Sequence, residues 1–271
     1  MKKILCPTDF SDTANNAIVY AAKVAQALGA ELILFNVRSL FDLSPVELIK
    51  GSSTRLENTK VTLEQQALEV SREFDISCYG EVQLSGVPLS SLLGAHGAEY
   101  DMIVMGTNGP DDLYQFFSGS NTYNVIRKTR VPLLVVPEGA IYTTPSLVIF
   151  AFDYWREGMP PFSRLSKWVM NNTELRLLEL LEPSTSPMQD DEVRTHQKLI
   201  KNMVDDKINL TFDVIHTDNL PASIQSYMMK TNADLLILST HEYSIIQKLF
   251  HKSLTKAVTS FATYPVLIIH D

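Results

Sequence analysis

Glycine is sparse in this chain and unevenly spread: of eleven in 271 residues, only Gly158 lies beyond residue 140. The second half therefore has few backbone positions that can take positive φ or come close to a ligand without a Cβ in the way. Cysteine is nearly absent. Cys6 and Cys78 match no metal-ligand spacing and provide no disulfide framework, so they read as two small core residues. No uninterrupted apolar run approaches the roughly 18 residues of a membrane-spanning helix. Lys2 and Lys3 precede only a short apolar run before Asp9, too brief for a signal peptide, and the expected location is cytoplasmic. There is no excess of positive charge either. The net charge is −8, with acidic residues in the majority in both halves, which argues against nucleic acid as a partner. His241, Glu242 and His251 stand at no metalloprotease spacing, so no metal site is expected and solvated loop positions are the reading.

What is present is an alternation of strands and helices. Lys3 to Pro7 reads as a strand, Ser11 as a helix cap, and Ala14, Ala17, Ile18, Ala21, Ala22, Ala25 and Leu28 as a helical stripe ended by Gly29. Glu31 to Val37 is a second strand, Leu56 to Phe74 a helix, Ser77 to Leu84 a strand and Leu89 to Tyr100 a helix. Asp101 to Met105 is too apolar for a one-sided strand and belongs in a sheet interior. Ser120 to Lys128 is helical, and Val131 to Val136 closes the half as a fifth strand. Such an alternation predicts right-handed crossovers and a parallel, doubly wound sheet.

The pattern then recurs. A shift of 133 carries Val87-Pro88 onto Leu220-Pro221, Asp101 to Met105 onto Asp234 to Leu238, and Val131 to Val136 onto Tyr264 to Ile269. The opening strand recurs at a shift of 144, Ile4 to Asp9 against Val148 to Asp153, so the second copy is shorter by 11 residues. The long loop after Val37 is where the shortening is expected. Two sequential domains follow, residues 1–140 and 146–271, with the boundary near Gly139 to Pro145.

In the first copy the fourth strand ends in Met105-Gly106, Gly109 follows after two residues, and Gly119-Ser120-Asn121 opens a helix after nine more. Glycines at a strand end let N–H groups converge on an anion, and a helix N-terminus favours phosphate through its unpaired N–H groups and dipole. Pro7, Thr8, Asp9 and Val37 lie at the same carboxyl edge, where open α/β sheets bind ligands. Asp9 is either an acceptor for an adenine amino group or a ribose hydroxyl, or a helix-start residue facing the dipole.

These motifs, Pro7-Thr8-Asp9, Gly106 with Gly109, and Gly119-Ser120 followed by Val131-Pro132, resemble the universal stress protein family in tandem form. The resemblance implies two Rossmann-like domains of the adenine nucleotide alpha hydrolase-like kind, each a five-stranded parallel sheet of order 3-2-1-4-5 with helices on both faces. It implies ATP, with or without Mg2+, as ligand. Pro7, Thr8, Asp9 and Val37 would meet the adenosine, and Met105, Gly106, Gly109, Gly119, Ser120 and Asn121 the phosphates. It further implies that the fifth strands, Val131 to Val136 and Val266 to Ile269, meet within the chain as an internal pseudo-dimer, which is compatible with a homodimer of whole chains. The function implied is a nucleotide-dependent stress-response and signalling module that acts on protein partners, binds no membrane and performs no catalysis. Slow ATP hydrolysis and a nucleotide-independent scaffold are the alternatives, the former weakened by the absence of Lys or Arg between Pro110 and Ser118.

In the second copy Ser239, Glu242 and Lys252 replace Gly106, Gly109 and Gly119, while Ser253 keeps the serine. Side chains fill the phosphate space and Glu242 adds negative charge, so no ATP is expected there. Since the second half keeps the strand pattern without these glycines, the contrast assigns them to the ligand and not to the fold.

Overall fold

The computed structural model describes residues 2–44, 47, 54–96, 99–107, 125–126, 128–152, 173–181, 190–202, 208–239 and 264–269. The chain divides into two compact units, Met1–Tyr142 and Thr143–Asp271.

In the first unit β1 (Lys3–Pro7) leads into α1 (Asp12–Leu28), β2 (Glu31–Ser39), α2 (Thr54–Phe74), β3 (Cys78–Ser85), α3 (Leu89–His96), β4 (Met102–Thr107) and β5 (Leu133–Pro137). Ser11 caps α1 by accepting the Ala14 N–H at 3.2 Å, and Gly29 ends it at φ +60°, where a side chain would be strained. The alanine stripe lets this helix lie close on the sheet: Ala17, Ala21, Ala22 and Ala25 are fully buried. The strand order is β3-β2-β1-β4-β5, all neighbours parallel in the registers seen, with β1 central. Both faces of the sheet carry helices. On one face β3 comes so close to α2 that a Cβ on Gly80 would lie 2.9 Å from Leu63 Cγ. On the other, Leu92 and Leu93 of α3 share a cavity of about 220 Å3 with Leu5, Phe35 and Gln83. Cys6 is buried in β1 and Cys78 half-buried in β3; both are free thiols, and burial pushes both up, Cys78 to about 12.

The second unit runs β6 (Leu147–Phe152), β7 (Glu174–Leu181), α4 (Asp190–Lys201), β8 (Asn209–His216), α5 (Leu220–Thr231), β9 (Leu235–Ser239) and β10 (Val266–Ile269). Its order, β8-β7-β6-β9-β10, repeats that of the first unit. The duplication extends to single hydrogen bonds. Asp101 Oδ2 accepts the Lys3 N–H at 2.9 Å, and Asp234 Oδ2 accepts the Leu147 N–H at 3.0 Å; Ile103 N–H donates to Pro132 C=O and Leu236 N–H to Pro265 C=O.

One expectation needs correction. The helix described over Leu89–His96 does not include Tyr100, which is followed by the Asp101 carboxylate that ties the start of β4 to β1. The shortening of the second copy does fall between the second and third strands, since Ile4 pairs with Leu32 and Leu32 with Cys78, whereas Val148 pairs with Leu175 and Leu175 with Leu210.

Candidate functional site

The chain leaves β1, turns to β2 on one side and later crosses back to β4 on the other, so strand order reverses at β1 and a crevice opens at its carboxyl end. Its wall is built from a tight turn. Thr8, buried, donates its N–H to Phe35 C=O at 2.9 Å and accepts the Phe10 N–H on Oγ1 at 3.0 Å. Asp9 Oδ1 accepts the Ser11 N–H at 3.0 Å, and Phe10 takes a left-handed φ of +69°, a conformation a non-glycine residue rarely adopts. Asp9 itself is exposed. Burial raises its carboxyl, but hydrogen bonds from the Ser11 hydroxyl and N–H outweigh this and hold it below the usual carboxylate range. The turn thus satisfies the helix-start reading of Asp9, while a carboxylate with about four acceptor positions retains capacity for a second donor.

Val37 lies two residues past Phe35 on β2, opposite Gln83 of β3. N–H and C=O directions alternate along a strand, and Phe35 C=O faces β1. Val37 therefore turns its N–H and C=O to the same side, beyond Pro7 where β1 has ended. On the other side of β1, Met105 and Gly106 are near the end of β4, opposite Val135 and Val136. Pro7, Thr8, Asp9, Val37, Met105 and Gly106 thus share one edge. Gly109, Gly119, Ser120 and Asn121 lie outside the described residues, as do Glu242, Lys252 and Ser253.

Gly106 has a packing reason of its own. A Cβ there would fall 2.6 Å from the Thr13 carbonyl oxygen and 2.9 Å from Thr13 Cγ2. The first turn of α1 rests on this strand end, so the assignment of Gly106 to ligand and not to fold is too strong. At least part of its selection is the close approach of helix and strand.

Sequence reasoning missed Asn36. It is 4% exposed, inside the apolar run of β2, and its Nδ2 donates to Thr8 C=O at 2.7 Å. The signal was a polar residue in the middle of an otherwise apolar buried strand, which must have a partner. No group of three metal-ligating side chains occurs among the described residues, and no helix there is long and apolar enough to cross a membrane.

A parallel sheet of order 3-2-1-4-5, built twice and with a glycine-ended fourth strand beside a turn carrying an exposed aspartate, defines a duplicated Rossmann-like α/β protein. The family model described as "Universal stress protein family" matches residues 1–137, and the chain belongs to that family. It is similar over its whole length to a universal stress protein of Synechocystis sp., with 25% identity over 295 aligned residues covering 98% of this chain and 99% of that one. A universal stress protein of Methanocaldococcus jannaschii is 30% identical over 161 residues, covering 50% of this chain and 94% of its own. Among solved structures, a universal stress protein from Archaeoglobus fulgidus shares the fold with a TM-score of 0.72 at 15% identity, covering 99% of this chain and 96% of that chain.

Proposed function

We propose that the first unit, residues 1–140, is an ATP-binding module of a stress-response protein and that the second, residues 146–271, is a nucleotide-free copy serving as its internal pairing partner. The observation that carries this reading is the meeting of three groups at one crevice: the exposed Asp9 carboxylate, the Val37 backbone past the end of β1, and the Gly106 strand end. Asp9 and Val37 suit the donors and acceptors of ribose and adenine. Met105 and Gly106 begin the phosphate loop, and Gly109, Gly119, Ser120 and Asn121 supply its N–H groups and helix start, with Mg2+ as an optional bridge. Family membership supports the reading. The nucleotide acts as a bound signal and not as a substrate, because the loop brings no cation to a γ-phosphate. Calorimetric titration of the chain with ATP is expected to give saturable binding at one site; absence of binding below about 1 mM, a free energy of roughly −4 kcal/mol, would overturn the reading.

A further inference from the structure

We infer that Asn36 is a positioning residue of this crevice, acting through Thr8. The inference rests on the nucleotide reading above. β1 ends at Pro7, and beyond it two hydrogen bonds tie the turn bearing Asp9 to β2: the Thr8 N–H on Phe35 C=O at 2.9 Å, and the Asn36 side-chain amide on Thr8 C=O at 2.7 Å. The second fixes the plane of the Thr8–Asp9 peptide, and with it the direction in which the Asp9 side chain leaves the turn. Asn36 is also the residue before Val37, so one buried side chain connects the carboxylate to the backbone edge that would read the base. Asn36 Oδ1 has no hydrogen-bond partner among the described residues, although it is buried. An apolar residue in the same strand would avoid that cost, so the amide is present for its donor.

The second unit supplies an internal control. Register carries Pro7 and Phe35 onto Ala151 and Leu178, and so the next pair, Thr8 and Asn36, onto Phe152 and Glu179. Glutamate has no side-chain amide, so the N–H that Asn36 gives the Thr8 carbonyl has no counterpart at this position. The copy that lost the glycines has lost this donor as well, while keeping its strand pairing.

The test compares wild type with Asn36→Leu and Asn36→Asp, using adenosine and ATP as probes in calorimetry and thermal unfolding as a separate measurement. Loss of the donor should weaken adenosine and ATP by the same factor, about tenfold, because the clamp serves the nucleoside half of the site. The unfolding midpoint of Asn36→Leu should fall only modestly, since losing the unpartnered Oδ1 offsets part of the cost of leaving the Thr8 carbonyl without its donor. A lowered midpoint with unchanged affinity well below it would make Asn36 structural only and overturn the inference. So would a loss for ATP that adenosine does not share. If Asn36→Asp fails to fold, the side-chain amide protons of Asn36 in wild type remain a readout: they should shift on adding adenosine, and their indifference to saturating adenosine counts against the inference. Wild type that binds neither probe overturns the nucleotide reading itself, whereas binding unaltered in both variants overturns only the clamp.

Discussion

The two units share their strand order, their strand-end carboxylates at Asp101 and Asp234, and the register of the first strand on the fourth, yet they part company at one edge. At the amino end, where Asp101 and Asp234 tie strands together, the chemistry is duplicated. At the carboxyl end it diverges: Thr8 and Asn36 against Phe152 and Glu179, Gly106 against Ser239. What the two copies share thus lies at the amino end of the sheet, and these differences lie at the carboxyl end. This is where an open α/β sheet places its ligand.

The largest effect should come from moving the second copy's choice into the first. Gly119→Lys reproduces the residue at 252, and a lysine stem at this proposed phosphate-binding position should lower ATP affinity more than about 100-fold, roughly 3 kcal/mol, in calorimetry. Retained affinity would mean the two copies do not differ in the way their sequences suggest. Next is Gly106→Val. With Thr13 oxygen 2.6 Å from the added Cβ, α1 must shift off the strand, and the first unit should lose about 1–3 kcal/mol in urea unfolding. Ser239→Gly should cost the second unit only about 1 kcal/mol or less. Both tryptophans, Trp155 and Trp168, are in the second unit, so their fluorescence follows that unit while circular dichroism follows both. Equal responses would remove the asymmetry claimed for this position.

Much of this architecture was legible because it rests on local signals. The Ser11 cap, the Gly29 stop and the alternation of apolar strands each arise within a few residues, and the strand order followed from the family resemblance. The candidate site was only half legible. Glycine spacing marked Gly106, but its contact with Thr13 arises from the docking angle of α1, which no linear pattern encodes. Asn36 was overlooked since its partner is 28 positions away and is a main-chain carbonyl, invisible to side-chain motifs. Tyr100 was drawn into α3 because nothing within a few residues marks Asp101 as the carboxylate that starts β4 by bonding to Lys3, 98 positions away.

A smaller effect isolates a device found in the second unit. Register aligns Ile33 with Arg176, whose Nη2 lies 2.6 Å from Glu174 Oε1, whose Nε is 3.2 Å from Thr211 Oγ1, and whose Nη1 is 3.7 Å from Asp213. Tyr227 OH bonds to Asp213 and completes the cluster. Arg176→Ile would copy the first unit but leave Glu174 and Asp213 together without a cation, costing about 1 kcal/mol at this partly exposed place. Tryptophan-monitored unfolding should show it, and a stabilised second unit would contradict the role given to the cluster.

The smallest effect concerns acid. Burial raises the Asp9 carboxyl while the Ser11 hydroxyl and N–H lower it, and the lowering wins, so its folded pKa is below its unfolded one. A carboxylate depressed in this way contributes stability that is fully present above the unfolded value, about 3.9, and is lost as pH falls through the folded value. Asp9→Asn keeps an acceptor for the Ser11 N–H but cannot ionise. The stability of wild type over Asp9→Asn should therefore be greatest near neutrality, under about 1 kcal/mol because the group is exposed, and should shrink toward zero as pH drops below 3.9. Bound ATP should widen the difference at neutral pH if Asp9 also accepts a donor from the nucleoside, because binding then adds to the cost of protonating it. A difference that grows in acid would mean the carboxylate is destabilising in the folded turn, against the hydrogen bonds that Ser11 gives it.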